Sequence, residues 1–346
     1  MQLSAGVTQL TSATLRQRLV GESQVIRDVR EHIAQAATVN MPVLLVGETG
    51  TGKHTAAQLL HEMSKRHGRP FLHRLCLKTF ATDFEEELLG IEEGYSRAHP
   101  RGKQGLFELS DNGSLFLDKI EDLDLRIQSV LLNVLHDSGS TRLGGTKWHP
   151  LDLRLISSTE CDLAHEVAAG RFQADLMFRI STLCISMPPL RNRPEDIAPL
   201  VTHFLKGFAH YHGVHTHPVS PSAMTLMERY SWPGNIRELE NLVSQYATFG
   251  DERFIIDHLR AQHEDDPGPF DSIIDTHTPL RLQTQRVMRN LERRIILTVL
   301  QANNWNRKKA ARTLDISYRA LLYKIKAANI PPIRRHSSGL TQKGKS

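Results

Sequence analysis

Residues 42–55 read Pro-Val-Leu-Leu-Val-Gly47-Glu48-Thr49-Gly50-Thr51-Gly52-Lys53-His54-Thr55. An apolar run over Val43–Val46 predicts a short strand, the glycines a turn, and the residues after Lys53 a helix. That order is what a phosphate-binding loop requires. Glycines let backbone amides wrap the phosphates, and the lysine reaches the β and γ oxygens. The positive end of the following helix adds to the field. The pattern normally closes on Ser or Thr as a magnesium ligand, whereas here His54 follows the lysine and Thr55 comes next. Residues Gly47, Glu48, Thr49, Gly50, Thr51, Gly52, Lys53, His54 and Thr55 are therefore the candidate nucleotide-binding set.

A second centre lies about 70 residues on, where Ser114-Leu-Phe-Leu-Asp118 ends an apolar run in an acid. A strand of this kind can place its Asp beside a nucleotide-bound magnesium ion. A buried strand capped by Asp would look similar alone, but the preceding phosphate loop strengthens the magnesium reading. Further strands are expected at 70–75, 153–158 and 183–187. Between them Ile127, Val130, Leu131, Val134 and Leu135 fall on one helical stripe, with Asp124 as N-cap. Strands alternating with amphipathic helices predict a mostly parallel sheet covered by helices.

The whole chain has 346 residues and a formal charge of +5, which is unevenly spread. From residue 281 onward there are 16 Lys and Arg against two acids, Glu292 and Asp315, a local balance of +14 that leaves −9 on the remainder. A small basic end on a larger acidic body points to a polyanion-binding appendage, the alternative being a solvated tail, which the apolar pattern over 284–330 argues against. No apolar run approaches the ~20 residues of a membrane span, and the first residues carry no signal-peptide pattern. The three cysteines, Cys76, Cys161 and Cys184, match no metal spacing and fit a reducing compartment. The expected location is cytoplasmic, with no membrane partner. About 20 residues ahead of the nucleotide unit are too few for a separate sensor domain.

In the basic end, residues 284–302 have helical periodicity, with Val287, Leu291, Ile295 and Leu300 among the apolar positions. Ala310, Ala311 and Leu314 form the buried side of a short helix; Asp315-Ile316 makes the turn, and Ser317 caps the next helix. The alanine pair lets two helices cross closely, as in a helix-turn-helix. Leu322 and Ile325 are read as core. Candidate DNA contacts are Arg307, Lys308, Lys309, Ser317, Tyr318, Arg319, Tyr323, Lys324 and Lys326, with the lysines assigned to phosphates.

Taken with LVGES at 19–23, GLFELSDNGSLFLD at 105–118, RLGG at 142–145, LRLISST at 153–159, DLMFRI at 175–180, PPLRNRPEDI at 188–197 and WPGNIRELEN at 232–241, the chain resembles the sigma-54-dependent transcription activators. The likeness joins their AAA+ domain to their Fis-type DNA-binding domain and covers roughly residues 19–330. It implies an α/β AAA+ P-loop domain with a parallel sheet and a helical lid, followed by a small all-α helix-turn-helix domain. The expected boundaries are a short segment 1–18, the AAA+ domain 19–258 with its lid from about 190, a linker 259–281, the helix-turn-helix 282–330 and a disordered basic tail 331–346. The resemblance also implies ATP or ADP with Mg2+, self-association as a dimer or higher ring, a palindromic promoter or enhancer site, and RNA polymerase as partner. Lys53 would meet the phosphates and Asp118 the magnesium. Thr159 would lie in the sensor I region, Arg237 would act as sensor II, and Arg179 would be an arginine finger toward a neighbouring subunit, unless it pairs with a nearby acid.

The departures from that pattern cluster. Lys119 stands where the family has a glutamate that polarises water, and a protonated lysine cannot be a general base. Leu75 replaces an asparagine, Gln173 the first of two finger arginines, and Glu160 an asparagine after Thr159. Gly94-Tyr95-Ser96-Arg97-Ala98-His99 aligns with the GAFTGA loop, with Arg97 at the threonine. These changes predict slow or absent ATP hydrolysis and regulation without sigma-54 remodelling. The rival expectation is a ring ATPase in which Glu121 or Asp122 supplies the missing carboxylate. A cyclic dinucleotide signal, read by Arg16, Arg18 and Arg97, stays open.

Overall fold

The computed structural model describes residues 14–76, 81–264, 296, 299, 307–314 and 316–327, in two units divided at Arg260. The first unit is built around the strand before the phosphate loop. In chain order it runs α1 Gln24–Ala37, β1 Val43–Val46, α2 Lys53–Glu62, β2 Phe71–Leu75, α3 Ala81–Leu89, β3 Gly90–Ile91 and β4 Lys103–Gln104. It continues with α4 Leu106–Leu109, β5 Ser114–Asp118, α5 Leu125–Asp137, β6 Gly139–Thr141, β7 Trp148–Pro150, β8 Arg154–Thr159, α6 Leu163–Ala168, α7 Ala174–Ile180 and β9 Leu183–Ser186. Then come α8 Ile197–His212, α9 Pro221–Arg229, α10 Asn235–Phe249 and α11 Arg253–Glu264.

The main sheet has the order β2-β5-β8-β1-β9 and every pairing in it is parallel. A parallel strand is covered on both faces, so β1 carries a continuous apolar run rather than an alternating one. Leu44 packs with Leu115, Leu117 and Leu155 on the face covered by α5 and α7. Val43 and Leu45 pack with Phe116 and Ile156 on the face covered by α1 and α2. Each such side chain stabilises by about 1.5–3 kcal/mol when fully buried. Asp124 caps α5 by accepting from Arg126 N, and Ile127, Leu131 and Val134 are buried while Val130 and Leu135 are partly so.

Several boundaries differ from the sequence expectation: β8 lies one residue further on than 153–158, and β9 stops at Ser186, short of 187. Pro70 lacks an N–H and joins the sheet only through its carbonyl, so β2 starts at Phe71. Leu15 is buried in the α1–α2 core, which draws part of the 1–18 segment into the fold. The lid core includes Leu259, and α11 runs to Glu264, past the expected limit at 258.

The lid packs α8, α9, α10 and α11 around Trp232, whose ring is fully enclosed and whose Nε1 donates to Met227 O at 2.8 Å. Its tie to α1 explains LVGES: the Asp196 carboxylate accepts from Glu22 N, Ser23 N and the Ser23 hydroxyl at 2.6–2.7 Å. Gly21, at φ +143°, lies where a Cβ would come within 2.6 Å of that carboxylate.

The second unit contains α12 Arg307–Thr313 and α13 Tyr318–Ala327, packed on one another around Ala310, Ala311 and Leu321, with Ile296 against them. Ser317 caps α13 by accepting from Ala320 N at 3.1 Å. Leu321 is enclosed and Ile325 packs against it in part; the Leu322 side chain, most of 284–302, the linker from 265 and the tail lie outside the described residues.

Candidate functional site

The carboxyl ends of β1, β5 and β8 meet at one edge of the sheet, where open α/β proteins bind ligands. They open onto a cleft of about 790 Å3 that Thr49, Gly50, Gly52, Lys53, His54 and Thr55 line from the loop, with Asp118, Lys119, Glu160, Arg193 and Arg237 around them. Gly50 and Gly52 take φ of +78° and +101°, a conformation L side chains rarely adopt. A Cβ on Gly50 would also lie 2.2 Å from Gly234 O. Lys53 opens α2, is enclosed, and turns its Nζ back to Gly47 O at 2.7 Å and Glu48 O at 3.0 Å. Burial holds its pKa below the ordinary lysine value, against the opposing charges of Glu160 and Asp118.

On the strand-end side, Asp118 accepts from the Ser158 hydroxyl and faces His73 Nε2 at 3.8 Å. Burial would raise its pKa, but those partners and Lys53 outweigh it, so the carboxyl lies below its ordinary value and is anionic. The His54 ring stands 4.6 Å from that of His73. Lys119, at φ +60°, extends its Nζ to Glu160 Oε2 at 3.1 Å. The other Glu160 oxygen accepts from the Thr49 hydroxyl and lies 3.5 Å from Lys53 Nζ. The Glu160 amide donates to Glu121 Oε1 at 2.8 Å, so Glu121 braces the turn. Leu75 contributes an apolar wall to the cleft. Thr159 is enclosed and its hydroxyl donates to Cys161 O at 3.1 Å; Glu160 lines the cleft in its place.

On the lid side, Asn235 is fully enclosed at φ +51°. Its side chain accepts from Leu190 N at 2.8 Å and donates to Thr49 O at 3.0 Å and Glu48 Oε2 at 3.2 Å. Ile236 N donates to Gly50 O at 2.9 Å. Glu48 is gripped by both terminal nitrogens of Arg191, which hold its carboxyl down to about 2. Thr51 is enclosed, and its hydroxyl donates to Glu48 O. Arg193 is enclosed at the cleft wall, with no hydrogen-bond partner for Nε among the described residues. A glycine-formed cradle, a buried lysine and this orphaned guanidinium nitrogen together fit a polyphosphate.

Other expected residues stand apart. Arg179 is exposed on α7 and donates to Leu135 O at 2.8 Å; no ion pair to it is found among the described residues. Gln173 donates to Leu125 O and the Ser129 hydroxyl, bracing α5. Arg18, at the cleft rim, is bound to both Glu62 oxygens and to Gln58. The 94–99 segment belongs to a loop pinned to the β6–β7 hairpin through Glu92 N to Leu143 O at 3.0 Å. Tyr95 and Arg97 are exposed there. In the second unit Arg307, Lys308, Lys309, Ser317, Tyr318 and Arg319 are exposed and Lys324 is half-buried, while the side chains of Tyr323 and Lys326 lie outside the described residues.

Comparison with known proteins matches residues 19–186 to the sigma-54 interaction domain, 191–268 to an AAA+ ATPase lid domain and 287–327 to the bacterial regulatory protein Fis family. The response regulator protein PilR of Pseudomonas aeruginosa is 34% identical over 319 residues, covering 92% of this chain and 71% of that protein. The chain belongs to this family of bacterial regulators. The regulatory protein AtoC of Escherichia coli is 33% identical, covering 91% of this chain and 68% of its own length. Among solved structures, NtrX from Brucella abortus in complex with ADP is 28% identical with a TM-score of 0.66, over 95% of this chain and 74% of that one. NtrX in complex with ATP gives 0.64. The family member described here is thus a DNA-binding transcription regulator with a sigma-54 interaction AAA+ domain, and no helix of its described residues is long and apolar enough to cross a membrane.

Proposed function

We propose that this regulator binds a palindromic double-stranded DNA site through α12 and α13, takes ATP or ADP into its AAA+ cleft, and turns ATP over slowly or not at all. The observation that carries the reading is Lys119 at the strand end, held 3.1 Å from Glu160. The Glu160 hydrogen bond raises the Lys119 pKa, so a fixed ammonium stands where a water-activating carboxylate would serve. Asp118 offers an anionic oxygen donor suited to magnesium, which would neutralise phosphate charge when bound. Nucleotide occupancy then acts as a signal or a structural ligand, set by binding rather than by turnover. DNA affinity comes from Arg307, Lys308, Lys309 and Lys324 on phosphates; Ser317, Tyr318 and Arg319 at the start of α13 stand at the base-reading end.

The same reading has the protein act on RNA polymerase without remodelling its sigma-54 form, because Tyr95 and Arg97 replace the contact sequence in the 94–99 loop. A second reading, a ring ATPase that remodels sigma-54 polymerase, is favoured by the sigma-54 interaction domain match over 19–186. ATP binding and ATP turnover, measured side by side on the purified protein with and without target DNA, separate the two. Tight binding without turnover supports the first. Clear turnover, with isomerisation of sigma-54 open complexes in a reconstituted assay, moves the assignment to the second.

A further inference from the structure

The Glu160 carboxylate does more than neutralise Lys119. One oxygen takes the Lys119 ammonium at 3.1 Å; the other takes the Thr49 hydroxyl of the phosphate loop and lies 3.5 Å from Lys53 Nζ. Its own amide is fixed by Glu121 at 2.8 Å, which limits how far the residue can swing. A simple surface ion pair would need Lys119 alone. The contacts with Thr49 and Lys53 draw the carboxylate into the phosphate loop itself.

In a phosphate loop the backbone amides cradle the α and β phosphates, while the lysine reaches the β and γ phosphates. Glu160 leaves the amides untouched and places an anionic oxygen against the lysine. A terminal phosphate would therefore meet a like charge at its own cation, in a half-enclosed site where such contacts are weakly screened. Lys119 offsets this only in part, because its ammonium sits on the second Glu160 oxygen, away from the oxygen that faces Lys53.

We infer that Glu160 is an internal competitor for the terminal phosphate, which makes the cleft selective for a nucleoside diphosphate over the triphosphate. The inference rests on the cleft being a nucleotide site and specifies which nucleotide it holds. Calorimetric titration of the full chain with ADP and with a non-hydrolysable ATP analogue, each with magnesium, tests it. ADP is expected to bind more tightly by about tenfold or more. Glu160→Gln keeps the side-chain shape and one acceptor oxygen, enough for Thr49 or Lys119 but not both, and removes the charge; it should tighten the triphosphate by about tenfold and shift ADP by less than about threefold. Lys119→Met removes the nearer of the two cations at Glu160, leaving Lys53 alone against it, and should widen the preference. Opposite shifts from two variants of similar melting temperature cannot come from misfolding. Equal affinities in the parent protein, or a ratio unmoved by Glu160→Gln, would overturn the inference while leaving nucleotide binding in place. Failure of the parent protein to bind either nucleotide would remove the nucleotide reading as well.

Discussion

On the lid side of the phosphate loop, Asn235, Ile236 and Arg191 bind the loop's own backbone and Glu48 through short, mutually compatible hydrogen bonds. On the strand-end side, Asp118, Lys119 and Glu160 form a mixed-charge cluster in which a lysine takes the place expected of a glutamate and a carboxylate the place expected of an asparagine. The first side shapes a cradle. The second decides what can happen to a phosphate lying in it. The shape of the cradle and the charge facing the terminal phosphate thus draw on different residues, and substitution can change one while sparing the other.

The sharpest way to break that contrast is to put the expected residues back at both positions. Lys119→Glu with Glu160→Asn removes the ammonium and returns a carboxylate to the end of β5. Turnover is expected to rise by roughly 10²-fold or more, the usual contribution of a positioned general base. Lys119→Glu alone should yield much less, because the new carboxylate faces Glu160 as a like charge. A double variant as slow as the parent in a coupled ATPase assay would show that the strand-end charges do not limit turnover.

How much of this was legible in the sequence follows from how local each feature is. The strand, the loop and Lys53 are contiguous, so a single stretch of sequence reveals them. The stripe on α5 and the alanine pair of α12 are equally local. Lys119 and Glu160 read as departures at one centre, but their ion pair did not, because they meet only through the parallel register that sets Leu117 beside Ser157. The same distance hid His73 beside Asp118, and Asn235 from the loop it pins, since WPGN identifies a motif without its partners. Glu121 looked like a spare carboxylate; the fold turns it to the Glu160 amide. Leu15 and Leu19, an i and i+4 pair in a mostly polar segment, form too short a pattern to show that both join the core.

A smaller effect is expected on the lid side. Asn235→Ala would strand the Leu190 amide and the Thr49 carbonyl and would force alanine into a left-handed backbone at φ +51°. Leaving buried partners unmet costs about 2 kcal/mol, visible as a lower melting temperature together with weaker binding of both nucleotides. Loss of stability with no change in nucleotide affinity would mean that the lid contacts are structural alone, which would dissolve the contrast between the two sides.

The smallest effect comes from the Glu48–Arg191 pair, whose side chains are 41% and 45% exposed. Solvent and salt screen a pair of that exposure, so its contribution stays below about 1 kcal/mol. The Arg191 hydrogen bond holds the folded Glu48 carboxyl down to about 2, below the ordinary value of 4.5. A depressed folded value means that the contribution is present above the unfolded pKa and is lost as pH falls toward the folded one. The difference in melting temperature between the parent and Arg191→Met should therefore be steady above about pH 5 and shrink progressively below about pH 4.5. Added salt should shrink it at any pH. A difference that held constant to pH 3 would show that Arg191 supports the loop by packing its stem rather than by holding Glu48, and would make the lid side less electrostatic than its geometry indicates.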